Sequence, residues 1–307
     1  MSRLVDPVPI LPRRNGRSQR SGSTSRTIPP RRTGSAKWYG VEPPREALPT
    51  AALSNGCFET MRAYRGKIFR VEDHLDRLYA SAQFLGTRIS PDRASVQRRL
   101  TGALKRSGLN EAVVRIALLP KPQGAARPSI VVVPVIVPPA LAYRRGIRVA
   151  VIPSRKFSVG SIDAQAKYSA RLGSVLAVMD AQLRGVDEAL FMDAMGSVTE
   201  STASNFGIVR GGVIQTPPCW LGLLAGITRD VLFELARALR LPIEEVPLTR
   251  HDLYNADEAF MTSTLKEVLA VTRIDGRTIG TGRPGPVTKQ LLRAFRQLVR
   301  REMAHEG

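Results

Sequence analysis

Long apolar runs are missing from this chain of 307 residues. A membrane-spanning helix needs roughly 18 consecutive apolar residues, and the best candidate, SIVVVPVIVPPALAY, is broken by Pro134, Pro138 and Pro139. A transmembrane helix is therefore not expected. Cysteine is nearly absent: Cys57 and Cys219 stand far apart with no paired spacing, and His74, His251 and His305 are scattered. That excludes a disulfide-framed secreted scaffold, suits a reducing, cytoplasmic setting, and leaves no metal site to expect. No G-x-S-x-G occurs and no histidine is placed as a base, which argues against a serine hydrolase. Internal repeats are absent too.

Acidic residues are scarce, 26 against 46 Lys and Arg, for a formal net charge of +20. Such a balance raises nucleic-acid binding as a possibility, but its distribution weakens it. Residues 1–38 hold eight arginines and Lys37 against the single Asp6, a net +8, leaving +12 for the rest. This Arg-, Ser- and Pro-rich segment has little apolar material and reads as a disordered basic extension. Its composition overlaps that of transit peptides, and Arg13–Arg14 lacks the apolar stretch of a twin-arginine signal, so it is read as an accessory extension or an early start. If nucleic acid were the partner, binding would be steeply salt-dependent and lost with residues 1–38.

With 43% hydrophobic residues the remainder can bury a large core. In 58–86, strand-like residues and a turn at Arg65–Gly66 give way to a helix whose stripe is Leu75, Leu78, Ala82 and Leu85, with Glu72 and Asp73 at its start. AVVRIALL (112–119), SIVVVPVIV (129–137) and GIRVAVIP (146–153) read as strands and complete an N-terminal α/β domain over 39–154. A polar connector spans 155–162, and a C-terminal domain covers 163–307. There, Leu172, Val175, Leu176, Met179 and Leu183 form the stripe of a helix expected to be buried on that face; strands follow in EALFMD and FGIVRGGVIQTP, then the amphipathic GITRDVLFELARALRL, further short strands and a terminal helix from about Val287.

Local signals for chemistry are weak when taken singly. GTGRPG (280–285) matches a dinucleotide fingerprint, but Pro284 interrupts it and too little chain follows for a βαβ unit, so a turn is expected. Glu244–Glu245 and Asp257–Glu258 read as solvated strand or loop ends. Lys167, just ahead of the Leu172 stripe, could be surface charge; a lysine forms a Schiff base only when deprotonated, which takes a dry site or a neighbouring cation.

GCFETMRAYRG, HLDRLYASA, AKYSARLGSVLA, DEALFMDAMGSVTESTASNFGIV, TPP, LLAGITRDV, ADEAFMTSTLKEV and GPVTKQL follow one another along residues 55–300. In that order they resemble the fold-type IV pyridoxal-phosphate enzymes: branched-chain and D-amino-acid aminotransferases and aminodeoxychorismate lyases. The resemblance implies a two-domain α/β (α+β) fold like that of D-amino-acid aminotransferase, with pyridoxal 5'-phosphate between a smaller N-terminal and a larger C-terminal, cofactor-binding domain. It implies that Lys167 carries the cofactor and shuttles a proton, and that Glu200 pairs with the ring nitrogen, where a carboxylate keeps the ring cationic. Arg77 matches the phosphate-binding arginine; Ile227 and Thr228 match a helix N-terminus that cradles the phosphate; Ser263 and Thr264 match further phosphate contacts; Leu224 matches a leucine packed on the ring.

Phe58, Arg62 and Arg115 fall at positions lining the substrate pocket. Arg115 shares a strand face with Val113 and Ala117, so it suits a substrate carboxylate or, equally, a buried acid. Where branched-chain enzymes commonly carry Asn-Tyr, this chain has Arg171 and Leu172, closer to the lyases and, for the leucine, to D-amino-acid enzymes; TSTLKEV and GPVTKQL look like transaminases. KWYGVEPPREALPTAALSN is Pro-rich where the family has a strand and hairpin. The expectation is a transaminase of branched-chain or similar apolar amino acids with 2-oxoglutarate as acceptor, and a homodimer. A D-amino-acid transaminase or an aminodeoxychorismate lyase are the alternatives.

Overall fold

A computed structural model describes residues 56–119, 125–152 and 163–305. The basic extension, the Pro-rich stretch before Gly56 and the connector 155–162 lie outside the described residues.

The first sheet is built by β1 (Cys57–Tyr64), β2 (Lys67–Ile68), β3 (Ala112–Leu118) and β4 (Ser129–Pro134), in the order β2-β1-β3-β4 with every pair antiparallel. The β1–β2 hairpin turns at Arg65 and Gly66, both at positive φ (52° and 79°), a geometry that glycine adopts freely. Helices α1 (Val71–Phe84) and α2 (Arg93–Ser107) cover one face, packing Leu75, Leu78, Val96 and Leu100 against Met61, Val114, Ile116 and Leu118. Each fully buried leucine there stabilises the layer by about 1.5–3 kcal/mol. Strand alternation sends Glu59 and Met61 to the helices and leaves Phe58, Thr60 and Arg62 on the opposite face, with Arg115 directly across from Thr60.

The second sheet begins after α3 (Ala140–Arg145) with β5 (Ile147–Val151). It continues through α4 (Leu172–Leu183), β6 (Glu188–Met192), β7 (Val198–Ser201), β8 (Asn205–Arg210), β9 (Val213–Thr216), α5 (Ile227–Ala238), β10 (Ile243–Glu245), α6 (Arg250–Tyr254), β11 (Glu258–Ser263), β12 (Glu267–Ile274), β13 (Arg277–Thr278) and α7 (Pro286–His305). The strand path β8-β11-β12-β5-β6-β7 closes on itself because β7 also pairs with β8, through Glu200 and Asn205. The result is a six-stranded mixed barrel extended at β8 by β9 and β10, with Val149, Leu190, Val198, Phe206, Ile208, Met261 and Leu269 in its core cluster. A further cluster joins the two layers, setting Tyr64 and Phe69 against Phe260, Leu291 and Phe295.

Three expectations change. The strand Ile147–Val151, grouped with the preceding strands by its β-branched residues, runs parallel between β12 and β6 in the second sheet. Composition identifies a strand but not its neighbours, which the barrel chooses. The Leu172 stripe of α4 is exposed rather than buried: Leu172, Val175, Leu176, Met179 and Leu183 face outward, while Ala177, Val178 and Ala181 pack inward. An apolar stripe signals a surface to be covered, not what covers it. Glu258 is buried, not solvated. Its carboxylate accepts the Val287 and Thr288 amides at 2.9 and 2.8 Å, capping α7. GTGRPG is the turn that delivers α7 to that carboxylate, so the helix entrance is already occupied by an anion from the chain itself.

Candidate active site

The segment around Lys167 lies along β1 like an added short strand. Cys57 and Tyr168 form an isolated antiparallel bridge, Phe58 N donates to Lys167 O at 3.1 Å, and Ser169 N donates to Gly56 O at 2.7 Å. From the helix side, Ser81 Oγ accepts Lys167 N at 2.9 Å. A side chain on Gly56 would meet Leu118 O at 2.2 Å, so glycine is what lets the start of β1 lie this close to β3. The lysine's backbone is thereby fixed between β1 and α1, and its Nζ stands 5.2 Å from the centre of the Phe58 ring. Burial, and then the positive charge of Arg77, pull its pKa from 10.5 down to about 7; Glu59 opposes them, Arg171 adds to the lowering, and Glu200 opposes it last. Near neutrality this amine is available as a base or nucleophile, which a surface lysine is not.

On the helix-facing side of β1, Glu59 is fully buried. It accepts Arg77 Nε at 2.7 Å and Nη2 at 2.9 Å, and lies 2.8 Å from His74 Nδ1. Burial alone would raise its pKa, but Arg77 and the His74 hydrogen bond hold the carboxyl well below its usual range. Burial lowers the His74 pKa, and since an ionised Glu59 can only accept, it is Nδ1 that carries the proton donated to it. The remaining Arg77 nitrogen, Nη1, donates to Ala225 O at 2.6 Å and so stands at the entrance of α5.

That entrance is uncapped: Gly226 is its N-cap and offers no side-chain acceptor, so the Ile227 and Thr228 amides have no partner within the helix. A Cβ on Gly226 would meet Asn205 Oδ1 at 1.9 Å. Asn205 Nδ2 in turn donates to Leu224 O at 2.8 Å and to Glu200 Oε2 at 3.4 Å, and the Leu224 amide donates to the same Glu200 oxygen at 3.1 Å. Glu200 thus sits where the barrel closes, tied to the loop that leads into α5.

Ser263 and Thr264 begin the β11–β12 turn, where Ser263 Oγ accepts Lys266 N at 3.2 Å. The buried Lys266 pins this turn by donating through Nζ to Glu188 and Ser204. Glu267 ends the turn at φ 56° and is held by Tyr64 OH, Arg296 and Arg62. Arg62, expected in the substrate pocket, is committed to Glu267 at 3.1 Å and Glu111 at 3.4 Å and stacks on Tyr64; it clamps the turn rather than presenting a free guanidinium. Arg115 differs. It lies 4.5 Å from the Phe58 ring centre, and among the described residues no carboxylate pairs with it.

The structure therefore groups Lys167, Arg115 and Arg171 around the Phe58 ring, Arg77 with the helix start at Ile227 and Thr228, and Glu200 with Leu224. Motif reading missed Glu59, His74, Ser81 and Asn205, whose partners are distant in sequence. The alternation that puts Glu59 among the buried faces of β1 was the one available hint.

The donor set fits a phosphorylated aldehyde: an amine able to be neutral, a carboxylate, and a guanidinium beside free helix amides. A neutralisable lysine beside a small antiparallel sheet and a closed mixed barrel suits an enzyme that works through an amine. Residues 56–274 match the model of the family described as Amino-transferase class IV, and the chain belongs to that family; it is an aminotransferase. Class IV aminotransferases use pyridoxal phosphate. The branched-chain-amino-acid aminotransferase of Pseudomonas aeruginosa is 35% identical over 258 residues, covering 80% of this chain and 84% of that protein. The D-alanine aminotransferase of Bacillus licheniformis is 32% identical, with 82% and 90% covered. Among solved structures, the branched-chain amino acid aminotransferase of Escherichia coli superposes with a TM-score of 0.77 at 30% identity, covering 80% of this chain and 85% of that one. A second branched-chain amino acid aminotransferase, solved with pyridoxamine 5'-phosphate, also superposes with a TM-score of 0.77, at 31% identity over 84% of this chain and 91% of that one. The fold is the one these enzymes share.

Proposed function

We propose that this aminotransferase holds pyridoxal 5'-phosphate at Lys167 and moves the amino group between a branched-chain or similar apolar amino acid and a 2-oxo acid such as 2-oxoglutarate. The carrying observation is Lys167 itself, held between β1 and α1 as an amine whose pKa burial and Arg77 bring down to about 7. When bound, the cofactor supplies a carbonyl for amine exchange and a ring that takes up electrons from the substrate's α carbon. Arg77, held by Glu59, and the Ile227 and Thr228 amides would hold the phosphate, together with Ser263 and Thr264. Glu200 would hold the proton of the ring nitrogen, and Leu224 would pack on the ring. Lys167 Nζ takes and returns the proton at the substrate's α carbon. Phe58 and Arg115 would orient the substrate, with Arg62 shaping their wall through Glu267.

The branched-chain assignment is supported by the relatives' shared name, and the D-alanine aminotransferase keeps a D-amino-acid reading in play. The outward apolar stripe of α4, which starts five residues after Lys167, supports a homodimer that covers it. Two free cysteines suit a reducing, cytoplasmic setting, and among the described residues no helix is long and apolar enough to cross a membrane. Purified protein mixed with pyridoxal phosphate should turn yellow and, after borohydride, carry the added mass on Lys167. Protein that stays colourless overturns the reading. L-leucine, L-valine and D-alanine paired with 2-oxoglutarate, beside aminodeoxychorismate alone, separate the substrate classes; aminobenzoate release would identify a lyase. Met179→Glu should halve the mass seen by analytical ultracentrifugation.

A further inference from the structure

Three cations surround the buried Phe58 ring: the Arg115 guanidinium carbon at 4.5 Å from its centre, Lys167 Nζ at 5.2 Å and the Arg171 guanidinium carbon at 5.9 Å. Elsewhere the chain compensates its buried arginines with carboxylates. Arg62 has Glu267 and Glu111, Arg77 has Glu59, and Arg229 has Glu245. Around Phe58 neither Arg115 nor Arg171 forms an ion pair with a carboxylate among the described residues. Arg171 Nη2 donates to neutral oxygens, the Thr202 carbonyl and Ser174 Oγ, and Arg115 has the ring. Two acids act on Arg171 without an ion pair: Glu200, which accepts from the Leu224 amide and from Asn205, and Glu188, which is engaged by Lys266 and by Thr202 Oγ1. That engagement fixes Thr202, and Thr202 seats Arg171, so the guanidinium is placed by a built chain of contacts.

Two like charges held together in a partly dry site are unfavourable until an anion joins them. The cofactor phosphate would lie at the other end, by Arg77. A monocarboxylic amino acid brings one carboxylate to two guanidiniums, whereas a dicarboxylate answers both, each in the planar fork that arginine offers. We propose that Arg171 is a specificity-determining residue that, together with Arg115, forms a receptor for a dicarboxylate substrate, taking the carboxylate that apolar substrates lack. This rests on the aminotransferase reading of the site and deepens it: of the two half-reactions, the one with the dicarboxylic partner depends on Arg171.

The test is calorimetric titration of glutarate and of 4-methylvalerate, unreactive stand-ins for the two substrate classes, into cofactor-loaded and cofactor-free protein. Arg171→Leu should weaken glutarate by about tenfold or more relative to 4-methylvalerate, and Arg171→Lys, which keeps the charge but loses the fork, by about threefold. An equal loss for both ligands, or no loss for either, overturns the proposal. So does an unchanged glutarate affinity accompanied by a shifted cofactor absorbance, which would put Arg171 on the cofactor instead. If the leucine variant does not fold, the lysine variant decides on the same criterion. Failure of wild-type protein to take up cofactor would sink the proposed function, while the cofactor-free titration would still decide the role of Arg171.

Discussion

Arg77 and Arg171 both lower the pKa of Lys167, yet they are held in opposite ways. Arg77 is locked by two hydrogen bonds to a fully buried carboxylate, which a neighbouring histidine fixes in turn. Arg171 rests on a backbone carbonyl beside a second guanidinium, and neither forms an ion pair with a carboxylate among the described residues. At the first end the counter-charge is part of the fold, so geometry is set before any ligand arrives. At the second end Glu200 and Glu188 act on Arg171 without pairing with it, and a direct counter-charge is left to come from outside. The difference separates a region that exists to be rigid from one that exists to discriminate.

Lys167, shared by both ends, carries the largest expected effect: Lys167→Ala should lower turnover by about 1,000-fold or more while the circular dichroism melt stays intact. Retained turnover would remove the lysine from the chemistry. At the locked end, Glu59→Gln leaves a buried guanidinium without its anion and should cost about 3 kcal/mol of unfolding free energy, read from the urea midpoint at constant slope. A midpoint equal to wild type would show that the pair is not structural.

The pH response comes next. The folded lysine loses its proton near pH 7 and the unfolded one only near 10.5. Across that window the unfolded chain binds more protons, so the lysine's contribution to stability improves as pH rises through it and is poorest below 7. Melting temperatures of cofactor-free wild type minus Lys167→Met should follow that sign. Cofactor capture, followed by absorbance, should likewise accelerate through about pH 7, with the midpoint moving upward in Arg171→Leu because a neighbouring cation is gone. A midpoint that does not move would detach Arg171 from the lysine. The smallest effect is at the open end: Arg115→Leu should change unfolding free energy by no more than about 1 kcal/mol, since it breaks no ion pair, while raising the KM for amino acids. A loss as large as that of Glu59→Gln would erase the contrast between the two ends.

Much of the site was legible because its parts are local. The lysine segment, GITR at a helix start, and the helix bearing Arg77 each carry their chemistry within a few residues. What escaped depends on distant partners. Nothing near Glu59 announces Arg77, nothing near Glu258 announces the amides of α7, and β5 looks the same whichever sheet receives it. Arg62 and Arg115, both arginines on one face of one sheet, could be told apart only by whether a carboxylate from elsewhere reached them. The α4 stripe misled for a related reason: helical periodicity records that a face avoids water, and that need can be met by another molecule.

The bridge between Cys57 and Tyr168 equips the protein with its own gauge of local opening. Burial pushes the Cys57 thiol up to about 11, and it sits beneath the segment that carries Lys167. A thiol so protonated and enclosed resists alkylation at neutral pH. Its labelling rate would therefore clock how often the lysine segment peels from β1, with no probe introduced, and ligands that tighten the site would slow that clock.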